Sequence, residues 1–214
     1  MATGGALGGL PLIELPAMRP LASLAVILSG DGGWRDVGRA IGRTLSRGDI
    51  AVVGLDSLRY FWREKTPEQV GRDLDRIVKH YQAAWRVRDV LLIGYSFGAG
   101  VLPAAYNRMD PATRSAVVQL SLLGLAQAAP FAFRVAGWFG LTSSDARPVA
   151  PEAARLDMAK VQCVYGERED HSLCRSPVFE HAELIETKGG HRFDGDYPAL
   201  ARRIIEGYER RKQA

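Results

Sequence analysis

A serine flanked by glycines, in Gly94-Tyr95-Ser96-Phe97-Gly98, stands directly behind the apolar run Val90-Leu91-Leu92-Ile93 and ahead of a helix-like stretch. Strand, sharp turn, then helix is the setting of the Gly-x-Ser-x-Gly nucleophile elbow, which exposes the hydroxyl at the carboxyl end of a sheet. The glycines are needed because a side chain at either flank would strike neighbouring elements in so tight a turn. A serine hydroxyl is a weak nucleophile until a base takes its proton. The candidate nucleophile Ser96 therefore calls for a histidine, and the histidine for an acid that orients it.

Four histidines are available. His80 falls on the polar side of an amphipathic segment, His171 adjoins an acidic pair, and His181 sits in the approach to a strand. His191, in Gly189-Gly190-His191, follows the last apolar run and precedes the final helical segment. The elbow fold delivers its histidine from that loop, in the chain order serine, acid, histidine, so His191 takes the base role. The acid belongs after the penultimate strand, in Gly166-Glu167-Arg168-Glu169-Asp170. Adjacent side chains in an extended loop diverge, so only one of Glu169 and Asp170 can face the imidazole. Glu169 is favoured by its spacing from the glycine, and Asp170 stays a candidate.

An oxyanion site needs two donors. The backbone N–H of Phe97 supplies one, and the loop Gly30-Asp31-Gly32-Gly33 the other, from Asp31 or Gly32. Around them, Arg59-Tyr60-Phe61-Trp62-Arg63 combines cations and aromatics just after a strand, which suits an anionic, partly apolar ligand. Phe131, Phe133, Trp138 and Phe139 line an acyl pocket or pack a cap. Asp194 and Asp196 beside His191 invite a metal reading, but Asp196 before Tyr197-Pro198 reads better as a helix cap. No metal or cofactor enters this chemistry.

The elements that must hold these groups alternate strand and helix. Strands are expected at Leu10–Leu15 on an edge, Leu24–Leu28, Ile50–Leu55, Val90–Ile93, Val117–Leu123, Val161–Tyr165 and around Leu184-Ile185. Helices are expected from Val37 to Leu45, behind the capping box Thr66-Pro67-Glu68-Gln69, from Phe97 to about Met109, and from Tyr197 to Arg211. Continuous apolar strands between amphipathic helices argue for a mostly parallel sheet covered on both faces. The expected fold is α/β, a single α/β-hydrolase-like domain over 10–214. Residues 126–151 form a possible cap insertion, and 1–9 a disordered leader or expression remnant. With 214 residues, 47% hydrophobic, the chain can bury a full core. Its net charge of +4 is spread rather than blocked, which argues against nucleic acid and supports at most mild attraction to an anionic surface. The amino terminus lacks the basic and apolar regions of a secretion signal. Cys163 and Cys174 lie close enough to bridge, or to remain two reduced thiols; bridged, they would span the loop that carries the acid.

Four blocks occur in order: Ser29-Gly30-Asp31-Gly32-Gly33-Trp34, Asp56-Ser57-Leu58-Arg59-Tyr60-Phe61-Trp62, the Ser96 elbow, and Gly189-Gly190-His191 through Asp194-Gly195-Asp196-Tyr197. Together they resemble the bacterial VirJ/AcvB virulence-protein family, from about Leu10 to the end. The resemblance implies an exported α/β-hydrolase-like protein of a Gram-negative bacterium, with Ser96 as nucleophile and His191 as base. Some members hydrolyse aminoacyl esters of phosphatidylglycerol, so it implies a lysyl or alanyl phospholipid as substrate. It also implies contact with an anionic membrane surface and a periplasmic location with the signal removed. A periplasmic setting favours a Cys163–Cys174 disulfide. Longer relatives carry extra amino-terminal sequence, so the chain resembles a short form or a carboxyl-terminal domain. Arg192 departs from the family pattern, which has a second histidine there. Two other expectations stay open: an adaptor for secretion-system proteins on a hydrolase shell, and a general carboxylesterase or thioesterase for soluble substrates.

Overall fold

The structure, a computed structural model, describes residues 7–18, 23–132 and 146–213. Seven strands form one sheet: β1 (Leu12–Leu15), β2 (Ser23–Leu28), β3 (Ile50–Leu55), β4 (Asp89–Tyr95), β5 (Val117–Leu123), β8 (Val161–Gly166) and β9 (Glu183–Thr187). Their spatial order is β1-β3-β2-β4-β5-β8-β9. Every neighbouring pair is parallel except β1 against β3, the proline-bracketed edge strand, which runs antiparallel. A two-stranded ribbon, β6 (Ala128–Ala129) with β7 (Arg147–Pro148), closes the ends of the 126–151 insertion. The expected α/β-hydrolase architecture is what the chain adopts.

β2 and β3 are buried at every residue, because both faces of a parallel sheet lie under helices. On one face, α1 (Asp36–Ser46) and α7 (Tyr197–Gln213) pack over Ile27, Leu91, Ile93 and Val164. On the other, α3 (Pro67–Trp85) and α4 (Phe97–Tyr106) cover Val26, Leu28, Leu92 and Leu122. α3 starts as its sequence dictates: Thr66 accepts from the Gln69 N–H, and the Gln69 side chain accepts from the Thr66 N–H. Shorter helices complete the set: α2 (Ser57–Tyr60), α5 (Pro111–Ser115) and α6 (Ala150–Ala153). Among the described residues no helix is long and apolar enough to cross a membrane.

Two expectations need correction. The leader does not extend through residue 9, since Leu7 is 4% exposed and belongs to the core beside α3. Tyr60, expected on a binding surface after β3, is buried instead. Asp56 caps a helical turn there, accepting from the Arg59 N–H, and that turn carries Tyr60 and Phe61 inward.

Candidate active site

The parallel strands end on one rim, and the loops leaving β2, β4, β8 and β9 all emerge there. β4 hands over to α4 within one residue. Ser96 takes φ 53° and ψ −113°, a left-handed conformation costly for a side-chain-bearing residue and characteristic of a functional turn. The flanking glycines allow it. A Cβ on Gly94 would come within 2.6 Å of the Ala99 backbone, and one on Gly98 would collide with the Leu28 carbonyl.

His191 reaches Ser96 from the far edge. β9 is three strands away from β4, so its loop spans about 14 Å at the usual inter-strand spacing. Its Nε2 lies 2.7 Å from Ser96 Oγ, and its Nδ1 lies 2.6 Å from Glu169 Oε1. A carboxylate accepts only, so Nδ1 carries the proton and Nε2 is left to accept from the serine hydroxyl. Glu169 is itself held. Its Oε2 accepts from the Gly166 N–H at 2.8 Å, and its backbone N–H and C=O close turns to Gly166 and Ser172. With the Glu169 side chain 13% exposed and the imidazole 49%, the pair is sheltered at the acid and open at the reacting end.

Of the two acids, Glu169 faces the imidazole. Asp170 points to solvent one residue on. Cys163 and Cys174 are bonded to each other, both fully buried. The bridge ties β8 to the turn at Leu173–Arg175, and the loop bearing Glu169 lies between its ends.

The two segments expected to supply oxyanion donors both border Ser96. Phe97 is the first residue of α4, where backbone N–H groups point out of the helix end. Gly30 packs against the serine, since a Cβ built on it would lie 3.5 Å from Ser96 Cβ. Asp31 and Gly32 follow, exposed, in a turn closed by the Gly33 N–H donating to the Gly30 carbonyl. Beside them a cavity of about 160 Å³ opens between Gly32, Arg35, Tyr95, Arg192 and Tyr197.

The remaining candidates divide. Arg59 and Arg63 are exposed, as is Trp62 at 69%. Tyr60 is not a binding residue: it is 4% exposed, and its hydroxyl donates to Asp73 at 2.6 Å. That phenol is shifted above its ordinary range by burial and by the Asp73 carboxylate. Phe61 is buried, its ring 4.9 Å from that of Phe97. Phe131 packs in the core and walls a second cavity of about 110 Å³ with Gly100, Ala129 and Pro148. Phe133, Trp138 and Phe139 lie outside the described residues. Asp196 caps α7, accepting from the Ala199 N–H at 2.9 Å. The other histidines stand apart from the serine: His171 and His181 are exposed, and His80 is half-buried against Tyr81.

Two residues at the site escape a motif-led reading. Gly124 follows β5 with φ 63°, and a Cβ there would sit 2.9 Å from His191 Cε1. Tyr95 stacks on the imidazole, ring centroids 5.7 Å apart. The signals were present, a glycine closing an apolar strand and an aromatic in the variable slot of the elbow, but neither names its partner.

No curated protein sequence matches the chain. Solved structures do share its fold along nearly its whole length. Est1E from Butyrivibrio proteoclasticus, solved with ferulic acid bound, superposes with a TM-score of 0.66 at 14% identity, covering 97% of this chain and 98% of that one. TT1662 from Thermus thermophilus gives 0.63 at 19% identity, over 98% and 97%. XC6422 from Xanthomonas campestris, described as an α/β serine hydrolase without a lid, gives 0.56 at 18% identity, over 93% and 87%. At such identities the likeness establishes the α/β-hydrolase fold, not the substrate. In sequence, the pattern of the bacterial virulence protein VirJ matches residues 22–212, and the chain belongs to that family.

Proposed function

We propose that the protein is a serine ester hydrolase in which Ser96, His191 and Glu169 act as one catalytic unit. The observation that carries this reading is the unbroken relay of short contacts, 2.6 Å from acid to imidazole and 2.7 Å from imidazole to hydroxyl. Ser96 Oγ attacks the ester carbonyl while His191 Nε2 takes its proton. The oxyanion is met by the N–H of Phe97 and by that of Asp31 or Gly32. As the tetrahedral adduct collapses, the imidazolium returns its proton to the departing alcohol. Water, activated by the same nitrogen, then cleaves the acyl-serine and releases the acid. Glu169 holds the imidazole in the required tautomer and balances its charge.

The substrate we assign is the aminoacyl ester of phosphatidylglycerol, lysyl or alanyl, at the periplasmic face of a membrane. Family membership supports the substrate class. The buried disulfide supports an oxidising compartment. The exposed Trp62 between Arg59 and Arg63 supports contact with an anionic lipid surface, an indole with flanking cations being suited to the interface. Purified protein should be labelled at Ser96 by a fluorophosphonate and should release lysine or alanine from the lipid. In Ser96→Ala, turnover should fall by about three or more orders of magnitude. Labelled protein that leaves the lipid intact would move the substrate to soluble esters. Unlabelled protein whose Ser96→Ala variant keeps its biological effect would replace catalysis with a secretion-adaptor role.

A further inference from the structure

Two members of the relay are fixed by their own elements: Ser96 by the strand-to-helix turn, and Glu169 by the Gly166 N–H and the bridged loop. The His191 loop is pinned two residues upstream, where the Gly189 carbonyl accepts from the Arg168 N–H at 2.9 Å and the Gly189 N–H donates to Glu167 at 3.2 Å. His191 sits at the tip of a long connection, between Gly189 at φ 90° and Phe193 at φ 59°, in a turn closed by the Phe193 N–H donating to the Gly190 carbonyl. A loop tip of this kind samples several positions unless something outside it holds it. At His191 itself, Tyr95 supplies that hold.

Its hydroxyl donates to the His191 backbone carbonyl at 3.3 Å, its ring lies within 27° of the imidazole plane, and it also meets the ring of Phe193 at 6.1 Å. Gly30 leaves room for the phenol ring, since a Cβ there would stand 3.1 Å from Tyr95 Cδ1. Burial, with nearby Tyr197, pushes the Tyr95 phenol up to about 12, Arg192 opposing, so it remains a donor through the neutral range. Tyr95 immediately precedes the nucleophile in the chain, so one rigid strand end carries both the serine and the brace of its base.

We infer that Tyr95 is a positioning residue that registers the His191 imidazole on Ser96, an assignment that rests on the hydrolase reading above. The ring does most of this and the hydroxyl less. Tyr95→Phe should lower kcat by about fivefold, the worth of one neutral hydrogen bond. Tyr95→Ala should lower it by about 100-fold, the usual cost of roughly 1 Å of misplacement. In both, KM for a small soluble ester such as p-nitrophenyl acetate should stay within about twofold.

Rates are to be measured per site titrated with a fluorophosphonate, so that loss of folded protein does not count as loss of kcat. The expected result is full labelling stoichiometry in both variants, slow turnover in Tyr95→Ala, and recovery of most of it in Tyr95→Phe. A Tyr95→Ala protein turning over at the wild-type rate per labelled site overturns the assignment, and so does one whose loss falls wholly in KM. Wild-type protein that the probe does not label overturns the hydrolase reading itself, a result distinct from either.

Discussion

Replacing Gly124 by alanine tests the geometry of the site with one methyl group. Gly124 has φ 63°, and the added Cβ would lie 2.9 Å from His191 Cε1, 3.0 Å from its Nδ1 and 3.7 Å from Glu169 Oε1. Carbon atoms in ordinary contact stand about 3.5–4.0 Å apart, so the imidazole must retreat by at least about 0.5 Å or the end of β5 must shift. Neither is free. The ring is tied at both nitrogens by contacts of 2.6 and 2.7 Å, and the Gly124 N–H donates to the Val164 carbonyl at 2.8 Å. Alanine in a left-handed conformation costs about 1–2 kcal/mol, offset by about 0.4–1 kcal/mol from the stiffer unfolded chain. The net loss of about 1 kcal/mol leaves the domain folded. A base displaced by even part of an ångström costs far more in rate, about 100-fold in kcat, or about 2.7 kcal/mol of barrier. The assay is steady-state hydrolysis of p-nitrophenyl acetate beside a thermal melt. Gly48→Ala serves as control, since Gly48 lies away from the site with only ordinary contact, 3.4 Å to the Leu45 carbonyl. A Gly124→Ala enzyme within threefold of wild type in kcat would refute the argument that His191 has no room to move.

Three further expectations bear on the supports of the site. Glu169→Gln should lower kcat by about three to four orders of magnitude, because an amide can donate to Nδ1 and select the wrong tautomer. Asp170→Asn should stay within about threefold, and equal losses in the two would return the choice of acid to open. Cutting the Cys163–Cys174 bridge, which closes a loop of sequence separation 11, should cost about 3 kcal/mol in the chain-entropy picture. That is about 6–12 °C in a domain of this size, measured by calorimetry with and without reductant; an unchanged midpoint would show that the bridge adds nothing. Arg108 joins Glu68 of α3 at 2.7 Å to Glu152 of α6 at 2.8 Å, so Arg108→Ala should lower the melting midpoint by about 2–4 °C. Arg108 holds the Glu68 carboxyl down to about 2. Burial resists ionisation of Glu152, but hydrogen bonds from Asn107 and Arg108 outweigh it and lower its carboxyl too. Depressed acids stabilise fully above the unfolded range near 4.3 and lose that contribution as pH falls toward their folded values. The gap between wild type and Arg108→Ala should therefore be complete at neutral pH and narrow as pH falls from about 4 toward about 2, as followed by melts across pH.

Strand positions were legible because a parallel sheet buried on both faces writes itself as continuous apolar runs. Ile50–Leu55 and Val117–Leu123 fall where the sequence places them. The order serine, acid, histidine was legible because the elbow fixes which loops follow. Spacing favours Glu169 without excluding Asp170, since neighbours in a loop differ by a rotation it does not encode; in the structure the Gly166 N–H holds Glu169 Oε2 and Oε1 faces the imidazole. Tyr60 was misread for a related reason. Cations beside aromatics look like a ligand surface, but the Asp56 cap coils the segment into a helical turn and sends the phenol to Asp73. The glycine after β5 and His191 are each visible in the sequence, but their contact is long-range and nothing local encodes it.

The most distinctive block, Ser29 through Trp34, shows how far a motif can be from chemistry and still serve it. Trp34 touches no reacting atom. Its ring lies over Gly54 of β3, where any Cβ would collide with it, and against Gly38 and Gly42 of α1, where a Cβ would come to 3.3 Å. Three glycines on two elements thus form a slot for one indole. The loop is anchored again where the Ser29 hydroxyl accepts from the Ser57 N–H at 2.9 Å. An oxyanion site works only if its donors are already in place when charge develops, because reorganising them would return the barrier they remove. Anchors at Ser29 and Trp34 fix the turn of Asp31 and Gly32 from both sides, as the proposed oxyanion role requires. The slot also explains why Trp34 and its glycines form a unit: loss of the indole leaves a void beneath the loop, and a methyl in the slot lifts the indole out. If the protein is the serine hydrolase proposed above, either change should lower its turnover from residues that never meet the substrate.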